Sequence, residues 1–310
     1  MRLAVLGMGR MGHALAERLL AGGHGITVWN RTPHRADDLV AKGVRSAATP
    51  AEAAQTAEAT FISLADDNAV REVVSGPEGA AAGLGDGVLV DASTVSPETS
   101  AQLARAVSGR FLAAPILGAP VAVVSGDAIY VIGGSHELYE RVRPAFEALT
   151  EDGHRRYVGE DPKLASTLKL LSNHLLLSGI AILAETVATA QAVGLADELI
   201  SDYFGHLPLV APALRNRLDD IVSGDHKGWF ATRLGAKDLR LAEELARSHG
   251  VSLPLAEAVK RRYEQAVAEG WSDADIAAVV ELVRRDLVRR DRAASGGADG
   301  ATSRAQQRVA

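Results

Sequence analysis

Three glycines spaced Gly7-x-Gly9-x-x-Gly12 come directly after the apolar run 3–6 and open a stretch whose Leu15 and Leu19 share one helical face. A strand that turns this sharply into a helix begins a βαβ unit, and each glycine has its own reason to be there. The first permits the tight turn, the second lets a ligand come close to the backbone, and the third lets helix and strand pack tightly. The start of the helix offers N–H groups and a partial positive charge, which suit a diphosphate. With a second apolar run at 26–29, this context predicts a dinucleotide held at Gly7, Gly9, Arg10, Met11 and Gly12.

The second run ends in Trp29-Asn30-Arg31-Thr32-Pro33, with Asn30 where an NAD-specific site would place an acid against the ribose hydroxyls. An acid there repels a phosphate; Asn30 can instead hydrogen-bond the ribose while Arg31, helped by Thr32 and Arg35, receives a 2′-phosphate. The expectation is NADP(H) in preference to NAD(H). The same residues also read as a polar turn in which Thr32 caps a helix with Pro33 at its first position.

Up to about residue 135, short apolar runs at 3–6, 26–29, 61–64 and 88–91 alternate with alanine-rich helical stretches, the pattern of a parallel sheet. Thr49-Pro50-Ala51-Glu52 reads as a capping box, Ser96-Pro97 starts another helix, and 128–134 reads as a further strand at the edge or rear of the sheet. Beyond Asp161-Pro162 the periodicity becomes helical, predicting one long helix over 163–191, about 40 Å at ~1.5 Å per residue. Further helices are expected over 196–206, 209–222, 229–249, 254–269 and 273–289, the last opened by a capping box at Ser272-Asp273-Ala274-Asp275. The predicted fold class is α/β plus all-α: a Rossmann domain over 1–162, an all-helical domain over 163–290 opened by the long interdomain helix, and a disordered tail over 291–310.

Composition narrows the function. A formal net charge of -6 provides no basic surplus for nucleic acid, which leaves a small-molecule substrate as the expected partner. The absence of cysteine removes disulfides and thiolate metal sites and fits a reducing cytoplasm. None of the nine histidines forms a ligand-spaced pair, so no metal is expected. The first apolar run is too short for a signal segment or a membrane span.

Reduction of a carbonyl or imine by hydride needs a proton donor, or a group that stabilises developing negative charge, together with anchors for the substrate. Lys169 and Asn173, four apart on the long helix, project side by side, and Ser166 and Leu176 continue their stripe. For an arbitrary Lys-x-x-x-Asn a solvated face would be the ordinary explanation. Asp225-His226-Lys227 reads as an exposed polar loop that could alternatively reach a cleft, His174 as a packing or interface residue, and Trp29, Trp229 and Trp271 as structural.

Taken together and in order, these segments resemble the β-hydroxyacid dehydrogenase family over residues 1 to about 285. Gly7 to Gly12 followed by Ala16 is similar to the family's opening motif, and Asn30-Arg31-Thr32 to its NADPH-type members. Asp91-Ala92-Ser93-Thr94 with Pro97 resembles the strand-end motif whose threonine, here Thr94, lies by the nicotinamide ribose. Leu64 matches a position lining the cofactor, and Ser93 falls among those facing substrate. Lys169-Leu170-Leu171-Ser172-Asn173 matches the motif of the catalytic lysine and its substrate-binding asparagine. Phe230, Leu234 and Lys237-Asp238-Leu239 resemble the C-terminal signature that closes over cofactor, at Lys237, and substrate, at Phe230 and Asp238.

One segment departs from the family. Where its members carry a serine and glycines that hold the substrate carboxylate, this chain has Ala114-Pro115-Ile116-Leu117-Gly118-Ala119. Leu117 cannot donate to a carboxylate, so a less polar or bulkier substrate becomes plausible, with backbone contacts retained at Gly118 and Ala119. Ala119-Pro120 is also similar to the related imine reductases, although those carry an aspartate or tyrosine where this chain has Lys169. The resemblance implies an NADPH-dependent reductase of a semialdehyde or related carbonyl, reversible toward the β-hydroxy acid, with Lys169 as proton donor and acceptor. The alternatives are an imine reductase acting on cyclic imines and a non-catalytic NADP-binding module. It also implies a homodimer or homotetramer assembled through the helical domain.

Overall fold

The computed structural model describes residues 1–286, so the expected tail at 291–310 and the end of the expected helix 273–289 lie outside the described residues. Among the described residues the chain forms two compact units, Met1–Asn173 with Leu241–Ser252, and His174–Arg240 with residues 253–286.

In the first unit one sheet holds β1 (Arg2–Leu6), β2 (Gly25–Trp29), β3 (Arg45–Ser46), β4 (Ala59–Ile62), β5 (Val88–Asp91), β6 (Phe111–Ala113), β7 (Ile116–Leu117), β8 (Ile129–Gly134) and β9 (Arg155–Gly159). Its order is β3-β2-β1-β4-β5-β6-β8-β7, with β9 on β8. The first six of these are parallel. The chain runs outward from β1 to β3 and then returns to the other side of β1 as β4, so the direction of travel reverses between β1 and β4. In open α/β sheets such a switch point is where ligands bind.

β1 is apolar on both faces because both are covered. Leu3 and Val5 enter one core with Leu15 and Leu19 of α1 (Arg10–Ala21), while Ala4 and Leu6 enter another. Short helices α2 (Asp37–Val40) and α3 (Pro50–Ala54), α4 (Asp67–Ser75), α5 (Ala80–Gly83), α6 (Pro97–Ala106), α7 (Pro120–Ser125) and α8 (His136–Leu149) complete the layers. The expected caps of α3 and α6 form: Thr49 accepts from Glu52 N at 3.1 Å and Ser96 from Thr99 N at 3.2 Å.

Three details differ from the sequence reading. β4 ends at Ile62, leaving Leu64 in the following loop. No helix starts at Pro33; α2 begins at Asp37 behind Ala36, because the Thr32 carbonyl is held in a turn by Asn30 Nδ2 at 2.8 Å. β8 is interior rather than an edge, since β9 covers its far side, and β9 has no legible apolar alternation.

The second unit is helical. α9 (Pro162–Ala192) is a single 31-residue helix, as its periodicity predicts, and it begins in the first unit, where Ala165 joins the sheet's core. Its length and apolarity would suffice to cross a membrane, yet Leu177, Ile180, Leu183 and Val187 are buried in the core of the second unit, which accounts for that composition. α10 (Asp197–His206), α11 (Pro212–Arg215), α12 (Leu218–Ser223), α13 (Thr232–Ser248) and α14 (Pro254–Ala266) follow. Tyr263 is buried against α9, its hydroxyl donating to Leu177 O at 3.3 Å, and burial pushes its phenol pKa up.

The expected helix 209–222 is instead two short helices, and one ion pair explains the break. Arg217 turns inward to Asp275, Nε to Oδ1 at 2.9 Å, with only 4% and 1% of the two side chains exposed, and its guanidinium stacks over Trp229. Asp275 is also the helix cap that the sequence reading assigned to Ser272: it accepts from Ala277 N and starts a 3-10 turn, Ile276–Val279, which leads into helix 280–286. The helix expected over 254–269 ends at Ala266 and passes into a wide turn containing Gly270 at φ 97.

Breaking a buried ion pair from one side strands the other charge. Asp275→Ala is therefore expected to lower unfolding free energy by about 3–5 kcal/mol in urea titrations. A loss below about 1 kcal/mol would show that the pair does not organise this unit.

Candidate active site

The glycine turn stands at the switch point of the sheet. Gly7 is at φ +95 and donates to Trp29 O at 2.9 Å, which fastens the turn to β2. A Cβ on Gly12 would strike the carbonyl of Gly7, so that position admits no side chain. Gly9 differs: a Cβ there meets nothing within 4 Å, and Gly9 begins α1 with no side chain capping it. Open space in front of a helix start whose N-cap residue carries no side chain fits the diphosphate of a dinucleotide.

Asn30 is more committed than its expected role at the ribose required. Its Oδ1 accepts from Met8 N at 2.8 Å and its Nδ2 donates to Thr32 O at 2.8 Å, so it clamps the glycine turn to the end of β2. Arg31 and Thr32 are exposed beside it, with the Arg31 guanidinium 3.9 Å from Glu72. Arg10 is exposed at the start of α1, and Met11 packs against the core.

The loops after β4 and β5 adjoin the turn. Leu64 Cδ2 lies 2.7 Å from the point a Gly7 Cβ would occupy, so this side chain rests on the turn. Its backbone N–H donates to Ser93 Oγ at 2.9 Å, and Ser93 N donates to Asp91 Oδ1 at 2.9 Å. Ser93 is thus buried as a tie between the loops, with its hydroxyl proton left to donate; Thr94 is half-buried beside it.

Lys169 is turned into the first unit. Its Nζ donates to Ile116 O on β7 at 2.7 Å, which puts the ammonium at the peptide that leads into Leu117. Asn173, one turn further along α9, is 3% exposed. Ser166, a turn before Lys169, anchors the helix through Ser100 at 2.6 Å. The solvated-face explanation for Lys169 and Asn173 does not hold.

Phe230, Lys237 and Asp238 belong to the second unit. Phe230 N donates to Asp275 Oδ2 at 3.0 Å; Lys237 Nζ lies 3.0 Å from Asp238 Oδ1, both side chains largely buried. His226 is not part of an exposed loop: Nε2 is 2.9 Å from Glu281 Oε1 and the ring packs edge-on against Trp271. His174 pairs with Ser178. No local signal in the sequence marks the Ile116 carbonyl or the Asn30–Met8 bond.

A family profile described as the NAD binding domain of 6-phosphogluconate dehydrogenase matches residues 2–159, and one described as NAD-binding of NADP-dependent 3-hydroxyisobutyrate dehydrogenase matches 164–283. The chain belongs to the β-hydroxyacid dehydrogenase family. It is 33% identical to an uncharacterized oxidoreductase of Bacillus subtilis, YfjR, over 92% of this chain and 100% of that one. Glyoxylate/succinic semialdehyde reductase 2 of Arabidopsis thaliana is 32% identical, over 91% of this chain and 79% of the plant protein. Human cytokine-like nuclear factor N-PAC is 33% identical over 90% of this chain, which spans only 50% of N-PAC.

Among solved structures, 3-hydroxyisobutyrate dehydrogenase from Salmonella typhimurium superposes with a TM-score of 0.83 at 25% identity, covering 91% and 99% of the two chains. Psf3, solved with NADP+ and 2-OPP, gives 0.82 at 25% with the same coverage. An imine reductase of Streptomyces aurantiacus gives 0.60 at 30%, again over 91% and 99%. This β-hydroxyacid dehydrogenase is accordingly an NAD(P)-dependent dehydrogenase or reductase.

Gly9 and Gly12 can be separated experimentally. Gly12→Ala is expected to lower thermal stability, because backbone must move. Gly9→Ala should unfold within about 2 °C of wild type, as its Cβ is unopposed, yet weaken cofactor binding at least about tenfold by intruding on the phosphates. Calorimetry with fluorescence titration of NADPH reads both.

Proposed function

We propose that this enzyme reduces a small carbonyl, of the semialdehyde type, with NADPH, and runs the reverse oxidation of the β-hydroxy acid. The observation that carries the reading is the half-buried Lys169, its Nζ bonded to Ile116 O at 2.7 Å and followed one turn later by the buried Asn173. A lysine held on a backbone carbonyl is fixed in orientation within the site. It can release that bond to donate to a substrate oxygen that is gaining negative charge, or serve as base in reverse. Asn173 orients the substrate through its carboxamide, aided by the Ser93 hydroxyl. The cofactor supplies the hydride; Gly7, Gly9, Met11 and Gly12 with the start of α1 would hold its diphosphate, and Leu64 and Thr94 its nicotinamide half.

Preference for NADP(H) rests on Arg31, exposed at the end of β2, and on the absence of an acid at Asn30. Asn30 itself contributes mainly by holding the turn. Lys237, Phe230 and Asp238 retain the roles that family resemblance gives them, Lys237 toward the cofactor and the others toward substrate. The expected homodimer or homotetramer draws support from exposed Leu164, Leu168, Leu171, Leu175 and Ile182 along one side of α9. A reducing, cytoplasmic setting fits a chain without cysteine.

A second reading, reduction of a cyclic imine, is favoured by Leu117: half-buried on β7 beside the Lys169 partner, it gives a carboxylate nothing to bind. A panel of semialdehydes, glyoxylate and cyclic imines, followed by NADPH absorbance, separates the two. Imine-only turnover selects the second, and tight NADPH binding with no turnover of any compound selects a non-catalytic module.

Lys169→Ala is expected to leave NADPH affinity within about twofold while turnover falls at least about a hundredfold, the ordinary contribution of a general acid. Unchanged turnover removes Lys169 from the mechanism. Arg31→Ala should raise KM for NADPH about tenfold and leave KM for NADH unaltered, as expected for loss of a charge-assisted phosphate contact. Equal effects on both cofactors would remove the 2′-phosphate assignment.

A further inference from the structure

The loops that carry Leu64 and Thr94 are joined a second time, beyond the Leu64–Ser93 bond, by a carboxylate that neither adjacent helix needs for capping. α4 has its cap in Asp66, whose Oδ1 accepts from Ala69 N at 2.9 Å, and α6 has its cap in Ser96. Asp67, the first residue of α4, reaches across instead. Its Oδ1 accepts from Ser96 N at 3.0 Å, Ser96 Oγ at 2.5 Å and Thr99 Oγ1 at 2.6 Å. Arg71 completes the arrangement by donating to Thr99 Oγ1 at 2.7 Å and to Asn68 Oδ1 at 2.7 Å, so the threonine's own proton points to the carboxylate.

We propose that Asp67 is a positioning residue of the cofactor site: by tying Ser96 and Thr99 to α4, it locks the Thr94 loop against the Leu64 loop and so fixes where the nicotinamide half of the dinucleotide lies. The inference rests on the cofactor reading given above. It follows from geometry at the carboxyl ends of neighbouring parallel strands. Ala92 N donates to Ile62 O at 2.8 Å, and Leu64 N to Ser93 Oγ at 2.9 Å. Both ties lie on the sheet side of Thr94. Asp67 supplies the tie on its far side, through Ser96. Thr94 is thereby tied on both sides, and removal of Asp67 takes away the polar tie on the far one. Charge-assisted hydrogen bonds of this kind are roughly twice as strong as neutral ones, which suits a tie that must survive ligand entry and exit.

The test compares two ligands on the full chain. Adenosine 2′,5′-bisphosphate carries only the adenine half of the cofactor and does not extend to these loops; NADPH does. Both are titrated by quenching of tryptophan fluorescence, Trp29 lying on β2 beside the glycine turn. Asp67→Ala is expected to weaken NADPH about tenfold and to leave the bisphosphate within about twofold, with the circular dichroism band of bound reduced nicotinamide diminished. Asp67→Asn, which keeps an acceptor oxygen, should recover most of the NADPH loss. Thr99→Val, which retains both caps, should weaken NADPH about threefold, and these two variants carry the test if Asp67→Ala does not fold. Equal NADPH affinity and an unchanged dichroic band across the series would overturn the proposal, and so would a parallel loss of both ligands, the mark of general damage. A wild-type chain that binds neither ligand overturns the cofactor reading itself, and this inference with it.

Discussion

The carbonyl of Gly7 occupies the place where any side chain at residue 12 would have to be. That close approach of backbone to backbone lets α1 leave the sheet immediately after β1, and the departure of α1 puts its uncapped first turn at the point where the strand order reverses. Asn30, just past β2, reinforces it through Met8 N, and Leu64, in the loop after β4, rests on it. The turn is therefore a structural fact of the sheet before it is a site. The open face at Gly9 is what that packing leaves over for a ligand.

The chemistry depends on a different element held to the same unit. α9 is anchored by the Ser166–Ser100 bond and by Leu170, buried with Leu241 and Ala242 of α13, so the turn carrying Lys169 and Asn173 is fixed in rotation. With that rotation set, the ammonium meets the Ile116 carbonyl. The backbone acceptor orients the ammonium, and the proposed role on a substrate oxygen rests on that orientation. Leu117, the next residue on β7, makes the ground beside it apolar. The same short strand thus holds the Lys169 ammonium and an apolar side chain beside it, and this pairing is what makes both carbonyl and imine chemistry physically coherent readings of one site.

In the second unit, polar burial has an organising role. Asp275 receives Arg217, the N–H of Phe230 and the N–H of Ala277, so one carboxylate ends a helix, starts another and holds the loop that bears Phe230. Asp220 lies near it, and burial together with the like charges of Asp275 and Asp225 pushes its carboxyl pKa up. A pattern reader sees Leu209 to Val222 as one amphipathic helix. Long-range charge pairing overrides that periodicity, because leaving Arg217 buried without its partner would cost more than the lost helical turns.

Local sequence is enough for the glycine turn, the alternation of strands and helices, the caps at Thr49 and Ser96, and the uninterrupted α9. Each is a matter of local backbone geometry or of apolar periodicity within one element, and both are written residue by residue. Assembly of the fold is what brings Lys169 to Ile116, 53 residues away, commits Asn30 to the turn, lets Asp67 tie two loops and makes β8 interior. These are hydrogen bonds and pairings between segments distant along the chain. No local pattern specifies them, since each depends on where the assembled sheet happens to bring a carbonyl, a carboxylate or an N–H within three ångströms or so of its partner.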